Sequence, residues 1–169
     1  MSKLPERYQR LFEIVGASAV IISLLLVVVE LNESTKATRA ATSSSASQAM
    51  MQWYIDVGAN AEATDVFLRF VQDPDELTPS QRVQGTFMLH GALLIFQNSY
   101  ALAKEGVLDE STHQTILEAV VPIKDSLGFR LYWGQRKGFF TPEFQSYIEE
   151  LREVDRTASQ KLYAQEKVE

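Results

Sequence analysis

The chain has 169 residues and a formal net charge of −6; 46% of its residues are hydrophobic and 22% are charged. These proportions are those of a folded globular protein, which excludes disorder over the whole length. The acidic balance argues against a nucleic-acid partner, because phosphate binding requires a basic face. The sequence has no cysteine, which excludes disulfides, thiolate nucleophiles and cysteine-ligated metal sites.

An apolar segment near the N-terminus is the strongest feature of the sequence. Residues 14–29 read IVGASAVIISLLLVVV, with no charged side chain and only two serines. We predict a single transmembrane helix over residues 11–31, after a basic segment at 1–10, because about 20 apolar residues cross the hydrocarbon core of a bilayer. A buried helix of a soluble domain is the alternative, but a helix that is apolar on every side leaves no face for solvent. A secretory signal peptide is disfavoured, since no small-residue cleavage site follows Val29.

Small residues within and after this span recur at helical spacing. In a membrane, small residues on one face let two helices approach closely, which predicts self-association. Residues 32–48 are rich in Ser, Thr and Ala, so they form either a stalk helix, which we favour, or a flexible linker. If this segment is helical, its small residues continue the contact outside the membrane. The predicted association residues are Gly16, Ala19, Ser23, Ala37, Ala41 and Ser45.

The rest of the sequence has the periodicity of several shorter helices. Residues 49–151 are predicted to form a helical bundle domain, and residues 152–169 a charged tail. Thr78 and Gln81 make a capping box, with Pro79 at the first helical position. No hairpin turn and no run of alternating β-branched residues competes. The fold class is therefore all-α: a transmembrane helix that extends into a stalk, then a small helical bundle. Further helices are predicted to begin near Asn60, Asp109 or Ser111, Gly128 and Thr141.

The longest predicted helix, which ends near Gly106, carries an apolar stripe that we expect to face the core. His90 and Gln97 fall on the same face, so His90 is expected to be a hydrogen-bonded core histidine. Together with Asn98 and Trp133 they define a possible pocket or polar core. The stripe itself consists of Val83, Phe87, Leu94 and Ala101.

No catalytic or metal-binding set of residues is complete in the sequence. Glu110 and His113 form an E-x-x-H, but a carboxylate-bridged metal site needs a second such pair, and Phe87 stands where the glutamate partner of His90 would be. No nucleophile elbow and no phosphate-binding loop is present. We therefore predict no enzymatic activity, no metal and no cofactor.

Four short motifs spread along the chain point to one family. They are Ser23-Leu24 in the span, Asn32 to Arg39 after it, Asn98 and Tyr100 before Gly106, and Tyr132-Trp133 before Pro142 and Phe144. In this combination the chain resembles a family of bacterial membrane proteins of unknown function, with one N-terminal hydrophobic helix and a helical remainder. The resemblance implies the inner (cytoplasmic) membrane of a bacterium and a cytoplasmic C-terminal domain, and it implies no activity.

These features favour a single-pass membrane protein that acts by association, as a homo-oligomer or as an accessory subunit of a membrane complex. Two alternatives stay open. A membrane-tethered ligand sensor or enzyme would use the aromatic and polar core, whereas a homo-oligomeric ion-conducting bundle would place Glu30 and Glu33 as an acidic ring at its mouth. Three Lys or Arg residues precede the span and two follow it closely, so charge alone leaves the side of the C-terminal domain open.

Overall fold

A computed structural model of the chain describes residues 6–153, with side chains from residue 15 onward. Within this part there are six α-helices and no strand, so the all-α prediction is confirmed. The outermost parts of the predicted basic segment (1–5) and charged tail (154–169) lie outside the described residues. The helices are α1 (Glu6–Gly58), α2 (Ala61–Gln72), α3 (Pro79–Lys104), α4 (Glu110–Val120), α5 (Leu127–Arg136) and α6 (Pro142–Glu153), and short 3-10 turns lie at Pro74–Glu76, Val121–Ile123 and Lys137–Phe139.

The chain divides into two compact units, with the boundary between Ala40 and Ala41. In the first unit, α1 contains an apolar segment that is long enough to cross a membrane, the one such helix among the described residues. The segment over residues 32–48 is helical, which agrees with the stalk rather than the linker interpretation.

Helix α3 is the centre of the second unit and packs against both α2 and α4. Its residues Leu89, Leu93 and Phe96 are fully buried. Burying a Leu or Phe side chain contributes about 1.5–3 kcal/mol to folding, so this face of α3 is a main source of the unit's stability.

The apolar stripe predicted as the core face of α3 is wrong. Val83, Phe87 and Leu94 are 52%, 62% and 43% exposed, and Ala101 is exposed as well. Helix α3 is apolar on two sides, and sequence periodicity does not reveal which side finds a partner in the fold. The residues that α3 buries are Gly85, Leu89, Ala92, Leu93, Phe96 and Ser99.

Two glycines allow α2 to lie close to both α3 and α5. A Cβ atom added to Gly85 would lie 2.5 Å from Cγ of Phe70, and one added to Gly128 would lie 2.0 Å from the backbone oxygen of Phe70. The side chain of Phe70, which is 1% exposed, fills the space beside Gly85, and the backbone of Phe70 lies against Gly128. A side chain at either glycine position would force the helices apart.

The helix ends predicted from capping residues are confirmed. Gln81 N donates to Thr78 Oγ1, and Thr78 N donates to Gln81 Oε1 at 3.1 Å, which completes the capping box. Asn60 caps α2 through its side-chain oxygen. Of the two starts proposed for α4, Asp109 is the N-cap. Gly106 has φ 70°, the left-handed conformation that ends helices at glycine.

Candidate functional site

The apolar segment in the first unit is exposed on every side. Its large side chains between Val15 and Leu31 are 50–65% exposed, and none of the best spanning window is buried. Leaving apolar surface in water costs roughly 25 cal/mol per Å². The exposed apolar surface of this segment is therefore stable only when lipid or another apolar surface covers it.

Three hydroxyl groups in and just after this segment are bonded within the helix. Ser23 Oγ donates to the backbone oxygen of Ala19 at 2.8 Å, and Thr35 and Thr38 donate in the same way to carbonyls four residues earlier. Such bonding satisfies a hydroxyl donor inside an apolar environment. The other first-unit residues singled out in the sequence, Gly16, Glu30, Glu33 and Ala37, are exposed.

In the second unit, one face of α1 is fixed against the bundle. Met50 is buried, and Trp53 Nε1 donates to the backbone oxygen of Met88 at 2.9 Å. Closer to the start of the unit, Ser43 Oγ donates to Asp109 Oδ2 at 3.1 Å. These contacts tie α1 to α3 and to the N-cap of α4, and they leave the opposite side of α1 facing outward.

Between residues 41 and 55 this outward side of α1 carries no charge; Asp56, one residue further on, accepts a hydrogen bond from Gln52 at 2.7 Å and marks its charged edge. Residues 41–55 contain no Asp, Glu, Lys or Arg, although 22% of the whole chain is charged. Depletion of charge, with methionine and aromatic residues nearby, is typical of the centre of a protein–protein interface. We define the α1 outer face by five exposed residues at heptad spacing, namely Ala41, Ser45, Gln48, Gln52 and Ile55.

A groove with a volume of about 540 Å³ lies between α1 and α3, beside the α1 outer face. It brings together the predicted association residues Ala41 and Ser45 with Asn98, which the sequence analysis assigned to a pocket. Leu94, from the exposed stripe of α3, lines the same groove. The lining residues are Ala41, Thr42, Ser45, Ala46, Ala49, Leu94, Ile95, Asn98 and Leu102.

A second groove, of about 710 Å³, lies on the other side of α1 against α4. Met51, Tyr54 and Ile55 line it and are each about half exposed, at 57%, 48% and 51%. Methionine adapts its shape to different partners, which suits a contact surface. The sequence analysis missed this groove, although the apolar residues of 50–55 lie on more than one side of a helix and give a signal for it.

The residues predicted to form a pocket are dispersed. His90 Nδ1 hydrogen-bonds the hydroxyl of Tyr132, as expected, but His90 is only partly buried and does not lie in the core. Gln97 Oε1 accepts from the backbone N–H of Thr141 at 2.9 Å and so fixes the start of α6. Asn98 is exposed in the α1–α3 groove. Burial raises the pKa of Tyr132 well above its usual value, so its hydroxyl keeps the proton at neutral pH.

Trp133, the fourth predicted pocket residue, joins α5 to α6. Its Nε1 donates to Glu149 Oε1 at 2.8 Å. This hydrogen bond is the main reason that the pKa of Glu149 lies below its usual value; partial burial opposes it, and the charges of Arg152 and Lys137 add to it. The role of Trp133 in the fold is therefore to connect two helices.

In the part of the chain that the structure describes, no group of three or more His, Asp or Glu residues is placed to hold a metal ion. Glu110 instead accepts a hydrogen bond from Gln114 at 2.7 Å. His113 is buried and hydrogen-bonds Ser99 and Tyr147, two residues that sequence reasoning did not connect with it. The three residues come from three helices, so no local motif could reveal them.

Comparison with known proteins gives no match: no family model, no curated protein and no solved structure is significantly similar to this chain.

Proposed function

We propose that the chain is a single-pass protein of a bacterial cytoplasmic membrane whose helical domain acts by association with further copies of itself, without enzymatic activity. The observation that carries the membrane assignment is that the large apolar side chains of residues 15–31 are exposed on every side of the helix. A core helix of this chain would bury one face, and this segment buries none. The bacterial source and the cytoplasmic side of the C-terminal domain rest on the sequence resemblance described above.

The association surface is the α1 outer face together with the grooves beside it. A solvated helix of an acidic protein normally carries charges, whereas residues 41–55 present Ala, Ser, Gln and Ile on the exposed side, with Asp56 at the edge. Small side chains such as Ala41 and Ser45 let a second helix approach closely, and apolar residues on both flanks supply buried area. An accessory subunit of a larger membrane complex would use the same face, with a different protein as partner.

The membrane assignment and the association are tested with the full chain. Membranes from expressing cells are washed with alkaline carbonate, and the retained protein is solubilised in mild detergent. Size-exclusion chromatography with light scattering then gives the protein mass without the detergent. We expect a carbonate-resistant protein that elutes as an oligomer of defined mass. A protein that washes off the membrane contradicts the anchor, and a strict monomer contradicts self-association.

A pair of matched substitutions tests the surface. Ser45→Arg places a charge on the α1 outer face, and Ser146→Arg places the same charge on an exposed position of α6. Burying an unpaired charge at an interface is strongly unfavourable. We expect Ser45→Arg to shift the protein toward monomer and Ser146→Arg to leave the mass unchanged. Equal behaviour of the two variants would place the contact elsewhere.

A further inference from the structure

A buried chain of hydrogen bonds connects three helices of the second unit. His113 of α4 is 4% exposed and Ser99 of α3 is fully buried. His113 Nδ1 lies 3.0 Å from Ser99 Oγ, and His113 Nε2 lies 3.3 Å from the hydroxyl of Tyr147 on α6. The proposed function assigns no role to these residues, and the chain of bonds is independent of the α1 outer face.

The geometry fixes where the protons lie when His113 is neutral. Ser99 Oγ donates to the backbone oxygen of Phe96 at 3.0 Å, so it accepts from His113 Nδ1–H. His113 Nε2 is then unprotonated and accepts from the hydroxyl of Tyr147. In this arrangement both ring nitrogens have a hydrogen-bond partner.

A second proton on His113 disrupts this arrangement. The new Nε2–H meets the hydroxyl hydrogen of Tyr147, so the hydroxyl must turn and accept the hydrogen bond that it donated before, and it gives up Nε2 as the acceptor for its own proton. The imidazolium charge is also buried, next to the stacked ring of Phe96, whose centroid lies 5.7 Å away. Burial lowers the pKa of His113 below its usual 6.5, and the charge of Glu110 acts in the opposite direction to a smaller extent.

The groups that face His113 come from each helix packed around it. They are Tyr100 and Lys104 on α3, Glu110 on α4 and Tyr147 on α6, and together they line a cavity of about 270 Å³. Tyr100 and Tyr147 stack with ring centroids 4.5 Å apart, so Tyr147 is held on two sides. Glu110 and Lys104 are exposed, and the cavity therefore offers a path for protons from solvent to His113.

We propose that Ser99, His113 and Tyr147 form a proton-sensitive latch, which holds α6 against α3 and α4 while His113 is neutral and loosens α6 when His113 gains a proton. Three apolar residues of α6 stay buried in either state, so the latch changes the protection of α6 and does not unfold the bundle. Its working range lies below pH 6.5, the ordinary pKa of a histidine. The buried apolar residues of α6 are Phe144, Ile148 and Leu151.

The test uses the full chain in detergent with labelled histidine. The sequence has only two histidines, so NMR gives two ring titrations, and His90→Gln assigns them. Hydrogen exchange of the α6 amides, corrected for intrinsic rates, is followed over the same pH range. We expect His113 to titrate below pH 6.5. One pH unit below its midpoint, we expect α6 exchange to be about tenfold faster than at neutral pH, with α2 unchanged.

Two variants decide between a latch and general acid sensitivity. His113→Gln removes the titrating group and should leave α6 exchange flat across the range, whereas His90→Gln should keep the pH response. Titration of His113 at or above pH 6.5 overturns the proposal. So does α6 exchange that fails to follow the His113 midpoint in the unsubstituted chain, and this outcome does not depend on whether a variant folds.

Discussion

Two apolar helical segments of this chain have opposite surroundings. The large side chains of residues 15–31 in α1 are 50–65% exposed. Leu89, Leu93 and Phe96 of α3 are fully buried. The first segment is apolar around its whole circumference, and the second has a charged or polar residue in most turns. Apolar content alone therefore does not identify a core helix. A core helix of a soluble domain also needs a polar face that can contact water.

The same substitution in both segments should have very different effects on stability. Leu89→Ala removes a fully buried side chain, and Leu25→Ala removes one that is 61% exposed. We expect Leu89→Ala to lower the free energy of unfolding of the helical bundle by about 2–5 kcal/mol, and Leu25→Ala to change it by less than about 0.5 kcal/mol. Circular dichroism of the full chain in detergent, during chemical denaturation, measures both values. Similar losses for the two variants would mean that residues 15–31 contribute to the core.

A second pair of positions has equal exposure in the structure but different proposed surroundings. Leu25 and Phe87 are 61% and 62% exposed, but we propose lipid around the first and water around the second. Leu25→Arg should cost about 2.5–3.5 kcal/mol of membrane insertion, because a charge at the centre of a span is unfavourable. Phe87→Arg should leave insertion and unfolding unchanged within about 0.5 kcal/mol. The carbonate-resistant fraction of each variant measures insertion, and full retention of Leu25→Arg would contradict the proposed span.

Within the second unit, two glycines of α5 provide a smaller and more local contrast. Gly128→Ala places a Cβ 2.0 Å from the backbone oxygen of Phe70, whereas nothing lies within 4 Å of a Cβ at Gly134. We expect Gly128→Ala to destabilise the bundle by about 1–3 kcal/mol through overpacking. Gly134→Ala should stabilise it by about 0.5–1 kcal/mol, because alanine favours the helix. The two melting temperatures should therefore move in opposite directions, and movement in the same direction would exclude close packing at Phe70.

The helix boundaries and the fold class could be predicted because their causes are local. Thr78 and Gln81 cap α3 through contacts within one turn, and the conformation of Gly106 depends on its own missing side chain. The length of the apolar run at 14–29 is equally visible in the sequence. Such features need no knowledge of which other segments are near.

The buried face of α3 and the contacts of His113 with Ser99 and Tyr147 could not be predicted, because both depend on distant partners. Val83 and Phe87 have the heptad spacing of a core stripe, but α2 and α4 pack on the side with Leu89 and Phe96. His113 meets a tyrosine 34 positions away in sequence. The periodicity of a sequence describes one helix at a time, whereas these features depend on how three helices pack together.

The smallest expected effect concerns the contact between α5 and α6 at Glu149. The hydrogen bond from Trp133 Nε1 lowers the pKa of this carboxyl below 4.5, so the folded state favours its ionised form. The stabilisation is therefore complete above pH 4.5 and is lost as the pH falls through the folded-state pKa. We expect Trp133→Phe to raise the pKa of Glu149 toward its usual value, as measured by NMR of the labelled carboxyl carbon. Glu149→Gln keeps an oxygen acceptor without a titrating group, so its melting temperature should fall less than that of the unsubstituted chain below pH 4.5. An unchanged pKa in Trp133→Phe would assign the shift to Arg152 and Lys137 instead.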